Sequence, residues 1–71
     1  MSVVIAAPMP GKVIKILVSV GDQVAEDDEI MTLEAMKMEN PIFSTAAGKI
    51  QEIRIKEGDV VKADQVLAIL G

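Results

Sequence analysis

The chain has no cysteine, no histidine and one aromatic residue, Phe43, among its 71 residues. Without cysteine, no disulfide can support a domain near the lower size limit for a single hydrophobic core. Without histidine, the usual zinc ligand, the usual general base and any Ser-His or Cys-His nucleophile pair are lost. Together these absences argue against an independent enzyme. Carboxylates remain, but they are scattered. The densest run, Glu26-Asp27-Asp28-Glu29, sits beside an expected turn and reads as a solvated loop and not a metal site. One aromatic ring makes no stacking platform for bases. A formal charge of -4 and a pI near 4.5 also oppose nucleic acid, whose phosphates call for clustered Lys and Arg. No apolar run approaches the length of a membrane span, and residues 1–7 lack the charged start and long apolar core of a signal peptide. The expected protein is a soluble, acidic, cytoplasmic domain, a compartment with which the lack of cysteine is compatible.

What the chain does have is Val, Ile and Leu in short runs separated by Gly, Asp and Pro, which predicts short strands and little helix. Sliding the sequence against itself by 37 residues places Gly11-Lys12-Val13 on Gly48-Lys49-Ile50, Ile16 on Ile53 and Val18 on Ile55. The same offset places Gly21-Asp22 on Gly58-Asp59, Val24 on Val61, Ile30 on Leu67 and Leu33 on Leu70. The repeat therefore covers about residues 11–34 and 48–71 of one domain, 1–71. Each half is too small to bury its own apolar face, so the halves are expected to pack against each other as two sheets. The predicted core is Val13, Ile16, Val18, Val24, Ile30 and Leu33 with Ile50, Ile53, Ile55, Val61, Leu67 and Leu70. Leu17 falls on Arg54, a pair expected to face outward or to lie at a bulge.

Strands are predicted over residues 3–6, 11–18, 23–24, 29–34, 39–44, 48–55, 60–61 and 66–70. Residues 25–31 are a weak alternative site for one helical turn. Pro8 and Pro10 set a bend before the second strand. Gly21-Asp22 and Gly58-Asp59 are turn dipeptides. Asp27 and Asp64 occupy further matched positions, and Asp tolerates a left-handed backbone better than most residues.

The repeat stops where Glu34-Ala35-Met36-Lys37-Met38-Glu39 begins, which puts Lys37 at the tip of a hairpin joining the halves. Met36-Lys37 is a poor sequence for a tight two-residue turn, which favours Asn-Gly or Asp-Gly because both residues need positive φ. If that turn forms, the strain is on the order of 1 kcal/mol or more, and strain of this kind collects at functional positions. Taken alone, Lys37 is an ordinary solvated lysine like Lys12, Lys15, Lys49, Lys56 and Lys62. Met36 and Met38 read alone as core filling, with either one partly buried along the hairpin side. Glu34 and Glu39 read alone as charges that discourage edge pairing.

The hexapeptide resembles the attachment sequence of biotinyl (biotin carboxyl carrier) domains of the biotin/lipoyl attachment family. The resemblance extends upstream through Ala7-Pro8-Met9-Pro10-Gly11 and downstream through Asn40-Pro41-Ile42, covering nearly the whole chain. It implies an all-β fold, a flattened barrel-sandwich hybrid of two antiparallel four-stranded sheets with quasi-twofold symmetry. It implies covalent biotin on Lys37, attached by a biotin protein ligase, with Glu34, Ala35, Met36 and Met38 read by that ligase or by later partners. Glu39 is a candidate for the same role. The related lipoyl domains usually carry an acidic residue and not methionine before the lysine, so Met36 and Met38 point to biotin. At the repeat positions of Asp27 and Asp64 these families usually carry Gly.

The implied function is carriage. A biotin carboxylase loads a carboxyl group, and a carboxyltransferase or decarboxylase component receives it. The carrier itself supplies no catalytic residue and holds no metal. The tether raises the effective concentration at both active sites. The halves align without a gap, so the chain resembles carriers lacking the extra loop of the acetyl-CoA carboxylase type. The isolated domain is expected to be a monomer that does not insert into membranes. A lipoyl carrier and an unmodified sandwich-type adaptor are the alternatives, and the chain reads equally as a small subunit or as the C-terminal domain of a longer protein.

Overall fold

A computed structural model describes residues 2–71; Met1, the first residue of the expected domain, lies outside the described residues. The eight strands are β1 (Val3–Ala6), β2 (Gly11–Ile16), β3 (Gln23–Val24), β4 (Glu29–Ala35), β5 (Met38–Phe43), β6 (Gly48–Ile53), β7 (Val60–Val61) and β8 (Val66–Leu70). No helix forms among the described residues: residues 25–28 make a turn, and residues 29–31 already belong to β4. β2 and β6 stop two residues before the predicted ends, at equivalent places. A register shift follows Val13 in one and Ile50 in the other. Such a bulge bends the strand, and beyond it Leu17 and Arg54 keep one backbone bond each, to the carbonyls of Ile30 and Leu67, at 2.9 Å. Both side chains face solvent, as expected.

The strands form two antiparallel four-stranded sheets, ordered β1-β8-β6-β3 and β5-β4-β2-β7. The 37-residue offset carries β2, β3 and β4 onto β6, β7 and β8, and also carries β1 onto β5, so each sheet maps onto the other. The halves do not, however, form one sheet each. Each sheet takes two strands from each half, because every connection except the β4–β5 hairpin crosses from one sheet to the other. Gly21 N–H bonds to the Ile50 carbonyl at 2.8 Å, and Gly58 N–H bonds to the Val13 carbonyl. Strand pairing between distant segments is a tertiary choice that alternation within a strand does not encode.

The core follows the matched positions. Val13, Val24, Ile30, Leu33, Ile50, Ile55, Val61, Leu67 and Leu70 are buried, while Ile16, Val18 and Ile53 are partly buried against them. Ile5 and Ile42 are also buried and equivalent, as are Ala7 and Ser44. The repeat thus extends to residues 3–8 and 40–45, where unlike side chains hide it in the sequence.

The turns repeat bond for bond. Asp22 accepts from Ser19 N–H and Asp59 from Lys56 N–H, both at 2.9 Å. Asp28 accepts from Ala25 N–H and Gln65 from Lys62 N–H, again at 2.9 Å. Asp27 and Asp64 adopt left-handed φ of 71° and 66°, and their N–H groups bond to the carbonyls of Ser44 and Ala7. The acidic run beginning at Glu26 is therefore used in turn chemistry, and Glu29 accepts from the Thr32 hydroxyl at 3.2 Å.

The symmetry sets the two ends apart. Where the first half closes through residues 35–38 into β5, its equivalent in the second half is the pair of chain ends, with Val3 beside Leu70. The crossover loop from the far end of β2 reaches Ile50, next to the Leu70 end of β8. The molecule is 33 Å long, and the Lys37 hairpin is at the end away from the termini.

Candidate functional site

From Met31 opposite Ile42, β4 and β5 pair without interruption up to Ala35 opposite Met38, which leaves Met36 and Lys37 as a two-residue loop. Their φ values are 53° and 65°. Both are positive, as a type I′ hairpin requires, and neither residue is one that this turn favours. The strands are one residue longer on each side of the tip than predicted, so the loop is as short as an ordinary hairpin permits.

Exposure sorts the motif. Met36 is 91% exposed and Met38 is 65% exposed, which corrects the expectation that one of them lies along the hairpin side. A two-residue loop has no flank to cover them. Ala35 points the other way: it is 9% exposed, and a Cβ placed on Gly11 would stand 3.4 Å from its Cβ. Its side chain therefore offers almost no surface for a partner to read, although the sequence places it among the recognition residues. Its small size has a structural use, because it lets Gly11 approach the β4 backbone closely. A Cβ at Gly11 would lie 2.7 Å from the Glu34 carbonyl oxygen. Gly11, which the sequence marks as part of the upstream motif and as the match of Gly48, therefore seats the base of the hairpin. Its equivalence to Gly48 in the repeat already marked it as a position that serves folding.

Glu34 and Glu39 are exposed and stand directly opposite each other below the turn, with Lys12 opposite Glu34 on the other side. Like charges facing across a strand pair are unfavourable. Asn40 turns its side-chain amide back to donate to the Met38 carbonyl at 3.1 Å, bracing the β5 side of the loop. Lys37 is exposed, and the one ion pair among the described residues joins Arg54 to Glu52 elsewhere. Its amine is on an open tip and outside the packing, so a bulky acyl group on Nζ would displace nothing. The chemistry available here is that of a single accessible primary amine. Among the described residues no three His, Cys, Asp or Glu side chains converge as a metal site.

A family model described as "Biotin-requiring enzyme" matches residues 3–70. The chain is 48% identical over 64 residues to the biotin carboxyl carrier protein of Streptococcus mutans serotype c, covering 89% of this chain and 49% of that one. It is 33% identical over 66 residues to the biotinylated protein TB7.3 homolog of Mycobacterium leprae, covering 93% of each. In a crystal structure of the Kluyveromyces lactis urea carboxylase, a region matches the whole of this chain with a TM-score of 0.94 and 31% identity, and amounts to 6% of that protein. The chain thus spans about half of one curated relative and nearly all of another.

Proposed function

This chain belongs to the biotin/lipoyl attachment family, and from that premise we propose that it is a biotin carboxyl carrier whose attachment point is Lys37. The observation that carries the reading is the exposed Met-Lys pair held at positive φ on the hairpin tip. The relatives named as biotin carrier and biotinylated protein support biotin as the group, and Met36 stands where lipoyl domains usually carry an acidic residue.

In the attachment step a biotin protein ligase presents an activated biotin acyl group. The Lys37 Nζ, after losing a proton, forms an amide bond to the acyl carbon while the activating group leaves. Acylation removes one cationic charge, leaving six cationic groups against eleven anionic ones, a net -5 in place of -4. When bound, biotin supplies a ureido nitrogen on which a carboxyl group can be carried. The chain's own residues do the rest. β4 and β5 fix where the arm begins, Gly11 and Asn40 hold the turn, and Met36 and Met38 present apolar surface to whichever enzyme is engaged.

The carrier contributes no catalytic group. Its partners would be a biotin carboxylase and a carboxyltransferase or decarboxylase component, each bound weakly enough to release it. The twofold core within one chain supports action as a monomer, since each half already covers the other. Co-expression with an active biotin ligase should add the mass of one biotinyl group, and Lys37→Arg should abolish the addition. A product left unmodified by an active ligase would refute the reading.

A further inference from the structure

We propose that the thioethers of Met36 and Met38 are a reversible oxidation site: hydrogen peroxide converts them to sulfoxides ahead of the other described methionines, and the tip becomes a poor substrate for attachment. The second half of this rests on the carrier reading above.

Composition narrows where an oxidant can act. With no Cys, His, Trp or Tyr in the chain, the side chains open to peroxide are the methionine thioethers. The fold then separates those sulfurs. Met31 is 0% exposed in the core and Met9 is partly buried, while Met36 and Met38 are 91% and 65% exposed. The repeat shows what Met31 and Met9 are for. The 37-residue offset carries Met31 onto Ala68, also fully buried, and Met9 onto Ala46, which packs against the core. Those are packing positions in both halves. Met36 and Met38 have no matched partner and lie outside the core.

In the oxidation step a sulfur lone pair attacks one peroxide oxygen, and the S–O bond forms as the O–O bond breaks. The departing oxygen takes the proton from the transferred one and leaves as water, so the sulfur loses an electron pair and the peroxide gains it. The product is polar and chiral where the thioether was apolar. A sulfoxide at Met31 would disrupt the core, whereas one at the tip alters only what a partner meets. An apolar site closing on the oxidised tip would strip water from a strong acceptor without replacing its hydrogen bond, and binding weakens. The openness that admits peroxide also admits a methionine sulfoxide reductase, which makes the change reversible.

The test treats the unmodified protein with dilute hydrogen peroxide, removes the excess with catalase, maps the added oxygen by peptide mass, and then measures biotinylation with a biotin protein ligase, biotin and ATP. Sulfoxide should appear at Met36 and Met38 before Met9, and last at Met31. Oxidation of the tip pair should leave the melting temperature unchanged and raise KM for the carrier by about fivefold or more. Methionine sulfoxide reductase should restore the parent value. A double variant, Met36→Leu with Met38→Leu, removes both sulfurs; whatever its own rate, that rate should be the same before and after peroxide. Met9→Leu should stay as sensitive as the parent. Earlier oxidation at Met9 or Met31 would overturn the site. Doubly oxidised protein with KM within about twofold of the parent would overturn its effect, as would a double variant that peroxide slows. Failure of the untreated parent to be biotinylated is a separate outcome: it overturns the carrier reading, while the order of oxidation is still read by mass.

Discussion

The two ends of this molecule have the same strands, the same bulges and the same turn bonds, but only one of them is closed. At the far end β1 and β8 lie side by side, with Val3 opposite Leu70, and no turn joins them. At the near end the equivalent strands are joined through Met36 and Lys37, both at positive φ. The two other non-glycine residues with positive φ, Asp27 and Asp64, are matched partners in hydrogen-bonded turns and have a side chain suited to that backbone. Met36 and Lys37 have neither a matched partner nor such a side chain. In a chain that repeats its own fold, positions that agree between the halves serve folding, and positions that differ are where function is to be sought.

The largest test of that comparison is in the core. Leu33→Ala and Leu70→Ala remove equivalent buried side chains, and each should cost within about 2–5 kcal/mol by urea unfolding. Leu33 belongs at the upper end of the range, because β4 is pinned by the hairpin, and Leu70 at the lower end, because no tight turn joins β8 to its neighbour β1. For a domain of this length, whose total stability is on the order of 4–11 kcal/mol, Leu33→Ala should come close to unfolding it. A larger loss at Leu70 would break the distinction between the two ends.

Glycine gives a smaller effect of the same kind. A Cβ at Gly11 meets the Glu34 carbonyl at 2.7 Å, while one at Gly48 meets the carbonyl of the terminal Gly71 at 3.0 Å. Gly11→Ala should cost about 1–3 kcal/mol and slow biotinylation by displacing the base of the hairpin. Gly48→Ala should cost less than about 1 kcal/mol, since its approach of 3.0 Å is the milder one and a small local shift relieves it. Equal costs in paired thermal melts would show that the closed end is no more constrained than the open one.

The smallest effect isolates the turn. Met36→Asn relieves about 1 kcal/mol of left-handed strain, which should raise the melting temperature by roughly 4–8 °C. Biotinylation should fall at the same time, because the exposed thioether is lost. Asp27→Asn should leave both stability and biotinylation nearly unchanged. A Met36→Asn protein that is both more stable and fully biotinylated would show that the methionine is not read.

Much of this was legible in the sequence because alternation and a 37-residue offset are both local signals. They located all eight strands, most of the core and the position of Lys37. The repeat was missed where chemistry diverges, as between Ala7 and Ser44 or Val3 and Asn40, although burial and pairing treat these positions alike. The recognition role assigned to Ala35 met a buried side chain because a motif gives identity and not orientation.

The sequence by itself determined that this is a chain of short strands in two similar halves with one lysine set apart, because side-chain periodicity and residue order suffice for that, while the carrier reading came from the resemblance of its hexapeptide. Only the tertiary structure decided that each sheet takes strands from both halves, that the tip is a two-residue turn with both φ values positive, and that Val60 and Glu39 lie in one row with Glu34. Those are consequences of strand register, which depends on contacts between residues far apart in the chain.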